Sequence, residues 1–130
     1  MPLPPPSCER KPSHHRAINV RAYARTDGLW DIEGHLTDVW PTPVPKAGEL
    51  LPAGEPMHAM WLRLTVDPAL VIRDVAASTD AAPHAACPAG AVAMRRLVGE
   101  RIGRGFTRRT RELLGGALGC THLMELLGPV

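Results

Sequence analysis

Apolar and polar residues alternate along the first third of the chain, the pattern of strands with one covered face. Over residues 16–23, Ile18, Val20 and Ala22 fall on one side, while Arg16, Asn19, Arg21 and Tyr23 are read as the polar side. Thr26-Asp27-Gly28 supplies a turn. Residues 29–39 then set Trp30, Ile32, Gly34 and Leu36 against Asp31, Glu33, His35 and Thr37, so the two segments predict a β-hairpin.

Pro41, Pro43, Pro45, Gly48, Pro52, Gly54 and Pro56 interrupt the pattern in a way no helix or central strand tolerates, which predicts a long loop, a lid or a variable insertion. A third strand is expected over residues 57–66 and a fourth over 70–76, joined by the turn at Asp67-Pro68-Ala69.

Past Ser78 the period changes. Pro88 suits a first helical position, with Cys87 at or beside the N-cap and Val92, Leu97 and Val98 as the inward stripe before Gly99. A second helix is expected over 107–114, capped by Thr107 and stopped by Gly115-Gly116. A third opens around Cys120-Thr121, buries Leu123, Leu126 and Leu127, and ends at Gly128-Pro129. Strands first and helices afterwards predict an α+β domain, an antiparallel sheet of two hairpins with about three helices on one face.

At 130 residues and 45% apolar composition, the chain holds enough material for one core. Residues 1–15, rich in proline and charge, read as a disordered tail, leaving 16–130 as a single domain. Fifteen Lys plus Arg against thirteen Asp plus Glu is too even a balance to name nucleic acid or an anionic membrane as partner. No apolar run reaches the ~20 residues of a spanning helix, and the N-terminus lacks the regions of a signal peptide, so a cytoplasmic location is expected. In a reducing compartment the three cysteines are then thiols or metal ligands, with Cys8 incidental in the tail.

Three residues with soft-metal chemistry stand where elements begin: His58, Cys87 and Cys120. A helix N-terminus stabilises a thiolate, and thiolate with imidazole suits zinc or an iron-sulfur centre. His122 is the first choice for a fourth ligand, with Glu33, His35 and Asp80 as alternatives and His84 a weaker one. Taken singly, each has a plainer role: a buried Cys packs as a small hydrophobe, and His58, on a strand face with Met60, Leu62 and Leu64, reads as a core or edge histidine. The arginines at 95, 96, 101, 104, 108, 109 and 111 make the helical half basic, either a solvated face or one that meets an acidic protein. Without interleaved aromatics, nucleic acid is not the expected partner. Two other classes stay open: a cysteine-dependent enzyme with Cys87 or Cys120 as nucleophile, and an accessory module whose cysteines are structural.

The stretches from Arg25 to Leu36, Met60-Trp61-Leu62-Arg63-Leu64-Thr65, Arg95-Arg96-Leu97-Val98-Gly99 and Arg111 to Leu123 resemble the bacterial domain-of-unknown-function family DUF2889, over nearly the whole chain beyond the tail. That family implies no activity. Its members continue past a segment like Leu127-Gly128-Pro129, which implies that this chain ends early. From Gly54 onward the chain is also remotely similar to the U-type iron-sulfur cluster assembly scaffold. Gly54-Glu55-Pro56-Met57-His58 stands at that family's Gly-x-Pro-x-Cys segment, Val71-Ile72-Arg73-Asp74-Val75 at its second strand, Cys87 at its helix-opening cysteine and Cys120-Thr121-His122-Leu123 at its last cysteine. The resemblance implies a scaffold-like core and a His58, Cys87, Cys120 ligand set. His58 replaces the first cysteine, Met60 replaces an acidic residue, and Ala86-Cys87-Pro88 stands for Gly-Cys; a His/Cys/Cys set can hold zinc or ligate a cluster, while loss of the acidic residue argues against transient cluster assembly and release.

Overall fold

A computed structural model describes residues 2–83, 87–115 and 121–130, and for Cys87, Pro88 and Thr121 the backbone alone. Four antiparallel strands run in a meander, β1 (His15–Ala24), β2 (Trp30–Val39), β5 (Pro56–Val66) and β6 (Ile72–Ala81), adjacent in that order. Between β2 and β5 lies a separate two-stranded ribbon, β3 (Val44–Lys46) and β4 (Glu49–Leu51). Among the described residues three helices follow, α1 (Cys87–Ala93), α2 (Phe106–Leu114) and α3 (Thr121–Leu127), with a 3-10 turn at Met94–Leu97. The α+β class expected from the pattern is the observed one.

Alternation decides which face the helices cover. Ile32, Gly34 and Leu36 of β2 stand opposite Leu64, Leu62 and Met60 of β5; Leu36, Met60, Leu62 and Leu64 join Ile72, Val75, Met94, Leu97, Leu114, Leu123 and Leu126 in one buried cluster, with Ile32 packed against it. Gly34 is there for space: a Cβ on it would come within 2.8 Å of Val130 Cγ1 and 3.3 Å of Leu126 Cδ2, so its bare backbone lets the end of α3 lie on the sheet. Leu123, Leu126 and Leu127 are buried as their spacing predicts. Among the described residues no helix is long and apolar enough to cross a membrane.

Several expectations need correction. Strand β1 begins at His15, not Arg16, and Arg16 shares the side of Ile18 and Val20 because it pairs with Asp38 as Ile18 pairs with Leu36. β1 is an edge strand, and its apolar residues Ile18 and Val20 stay partly exposed. The proline-rich interruption contains the β3–β4 ribbon, whose two turn residues, Ala47 and Gly48, both have positive φ (48° and 86°), as a tight two-residue hairpin requires. β6 continues to Ala81 because β5 offers it partners back to Ala59.

The inward stripe near α1 also differs. Val92 is 72% and Val98 41% exposed, while Met94 and Leu97 are fully buried. The helix gives way at Ala93 to a 3-10 turn, whose period of three rotates the buried side away from the 3.6-residue projection. α2 starts one residue before its expected cap: Gly105, with φ of 84°, occupies the N-cap in place of Thr107.

Candidate metal centre

At the end of the covered face the alternation of β2 continues into a charge. Asp38 has the same parity as Ile32, Gly34 and Leu36, and its carboxylate is wholly buried. Such a group persists only when donors replace its lost hydration. Arg16, its cross-strand partner on β1, supplies a bidentate pair, Nε to Oδ1 at 2.7 Å and Nη2 to Oδ2 at 2.8 Å. His14 Nε2 adds a contact to Oδ1 at 2.9 Å, its ring stacked on Trp40 with centroids 4.2 Å apart. His58, the cross-strand partner on β5, places Nδ1 2.9 Å from Oδ2. Burial pushes the Asp38 carboxyl upward, but hydrogen bonds from Arg16 and His14 and the nearby positive charge prevail and hold it at about 2.

An ionised carboxylate only accepts hydrogen bonds, so the His58 proton sits on Nδ1. In the neutral ring Nε2 is then a bare lone pair. This nitrogen is buried and has no hydrogen-bond partner among the described residues, in a residue only 7% exposed. Burial lowers the His58 pKa, and His122 lowers it further, both favouring the neutral ring against the opposing pull of Asp38. The His122 ring, carried by α3, stacks on His58 with centroids 3.6 Å apart and an interplanar angle of 26°. His122 Nε2 lies 4.0 Å from Asp38 Oδ2. The potential ligand atoms of Asp38, His58 and His122 all fall within 4.8 Å of one another, a metal-ligand spacing. Arg16 also pairs with Glu125, one turn beyond His122, tying α3 to the same corner of the sheet.

His58 and His122 are thus brought together. The Cys87 side chain and all of Cys120, the other two expected ligands, lie outside the described residues, as does His84. Among the described residues no cysteine joins the group. The alternative ligands stand elsewhere: Glu33 and His35 occupy the open face of β2, where Glu33 pairs with Arg63 and His35 stacks on Trp61 at 3.9 Å. Asp80 accepts a hydrogen bond from Ser78 on exposed β6. Asp38, Arg16 and His14 escaped the sequence reading. The available signal was parity, since an acidic residue continues the inward series of β2 and a basic one that of β1.

No curated protein and no solved structure matches this chain. The model of a family described as "Protein of unknown function (DUF2889)" matches residues 14–130, a span that begins at His14 and includes every residue of the buried cluster around Asp38. The chain therefore belongs to the DUF2889 family.

Proposed function

We propose that this protein binds a transition-metal ion of the zinc class, with His58 Nε2 and the His122 imidazole as ligands and Asp38 behind His58 as the group that orients it. The observation that carries this reading is the Nε2 of buried His58, which has no partner among the described residues. A buried polar atom without a partner costs about 1–3 kcal/mol, and a ligated ion would remove that cost. A carboxylate that receives the Nδ1 proton fixes the tautomer and ring orientation, the usual arrangement behind a metal-bound imidazole. Asp38 itself serves better behind the ligand than on the ion, because the Arg16 guanidinium already occupies both its oxygens.

The chemistry of the described donors is nitrogen and oxygen, which suits a single zinc-class ion; an iron-sulfur cluster is held mainly by thiolates. Cys87 and Cys120 are the proposed further ligands, Cys120 lying two residues before His122. Bound there, a zinc-class ion would act as a Lewis acid or as a structural clasp between the sheet and α3. Metal analysis of untagged protein with His58→Asn, His122→Asn, Cys87→Ser and Cys120→Ser beside it tests the assignment: ion content should fall in the histidine variants and in whichever cysteine variants remove a ligand. Acid-labile sulfide in the parent would replace the single ion by a cluster. A metal-free parent with one rapidly alkylated thiol would instead favour a cysteine-dependent enzyme.

A further inference from the structure

The two edges of the sheet are treated differently. The start of β6 is covered: Ile72 N donates to Glu100 O at 2.8 Å, Gly99 N to Ile72 O at 2.8 Å and Ile102 N to Leu70 O at 2.9 Å, and Val71 bridges Arg101. The outer edge of β1 has no backbone partner among the described residues, although the strand is ten residues long. Native edge strands are normally blunted by shortness, bulges, proline or charged side chains, lysine above all. β1 lacks the first three: its pairing with β2 is unbroken from His15↔Val39 to Ala24↔Trp30 and it contains no proline, and of its two arginines Arg16 is held by Asp38 and Glu125 while Arg21 lies on the face opposite Ile18 and Val20. Its apolar side carries Ile18 and Val20, 39% and 38% exposed, just beyond the helical layer.

We infer that β1 is a dimerisation edge, pairing antiparallel with β1 of a second copy of this chain about a two-fold axis at Asn19 to give a continuous eight-stranded sheet. The self-complementarity of the strand selects this occupant. With Asn19 opposite its own counterpart, Ile18 meets Val20 of the second copy and Val20 meets Ile18, so the half-exposed apolar residues cover one another on the helical side. Arg16 faces Ala22 and Arg21 faces Ala17, so no arginine meets an arginine. A two-fold edge pairing also satisfies the unpaired N–H and C=O groups of both copies at once and leaves no new edge at the junction, closing the assembly as a dimer. Arg16, which holds Asp38, lies within the paired strand, but Asn19 at the axis stands on the opposite face of β1, so a cross-link there reads the pairing separately from metal binding.

The test is sedimentation velocity of the untagged full chain up to the order of 0.5 mM, a range that populates interfaces below standard size, together with a disulfide trap. Asn19→Cys should cross-link into a dimer on mild oxidation, because directly opposed residues of an antiparallel pair have Cα atoms about 4.5–5.5 Å apart, within disulfide reach. Arg21→Cys, equally exposed, should not, because its two copies are roughly 13 Å apart along the strands. Val20→Lys should shift the parent's dimer to monomer while the circular dichroism spectrum is retained. A parent that stays monomeric throughout, or equal cross-linking at positions 19 and 21, overturns the proposal; capture of an extended peptide by a monomeric parent would assign the edge to another chain and overturn it equally.

Discussion

His58 Nδ1 lies 2.9 Å from Asp38 Oδ2 across the β2–β5 pair, and the same carboxylate is gripped from the other side by Arg16 of β1. Three neighbouring strands therefore meet at one buried charge, and the histidine that completes it has a nitrogen unpaired among the described residues. The proposed metal ion would give that acceptor a partner.

Removing the charge from Asp38 should expose its two roles. Asp38→Asn keeps the shape but leaves Arg16 without its bidentate partner, and an amide that turns its NH₂ toward His58 favours the wrong tautomer. The expected cost is about 3–5 kcal/mol of stability, read from urea unfolding, with zinc affinity lowered roughly 10–100-fold in the folded fraction. Unchanged affinity would remove Asp38 from the account of the metal centre.

Stability should fall with acid in two stages. The folded His58 pKa is depressed below 6.5, so the unfolded chain binds the extra proton first and this part of the stability is present above pH 6.5 and declines below it. Asp38 is depressed from 3.8 to about 2; its contribution, ~2 kcal/mol, is present above pH 3.8 and lost as the pH falls toward 2. Urea midpoints across pH, for the metal-free parent and for His58→Gln, separate the stages: the variant should lose the upper one and keep the lower.

Gly34 makes room for the end of α3. Gly34→Val would drive a branched side chain into Val130 and Leu126, already 2.8 and 3.3 Å from an added Cβ, and should cost about 1–3 kcal/mol. Thermal melting of Gly34→Val and Leu126→Ala checks this. The second should lose about 2–5 kcal/mol because Leu126 is fully buried. If Gly34→Val melts with the parent, α3 does not rest on β2 as described.

How much of this was legible in the sequence varies with how local the signal is. The sheet and the burial of Leu123, Leu126 and Leu127 follow from periods of two and three to four residues, which the sequence displays directly. Val92 and Val98 were misplaced because a 3-10 turn changes the period within the segment, with no proline or glycine at the junction to announce it. His58 and His122 stood out as chemistry at element starts. Asp38 did not, because a buried carboxylate makes sense only once Arg16 and His58 are known to flank it on neighbouring strands. The parity of a strand places such residues on a face, but it does not say which partners meet there.

Zinc titration of untagged, metal-stripped protein by calorimetry, with His58→Asn alongside, reaches the central claim most directly. A single site in the parent that disappears in the variant, while circular dichroism shows both chains folded, is the result predicted from the unpartnered Nε2. Zinc binding of equal strength and stoichiometry in both proteins, or none in the parent, would contradict it.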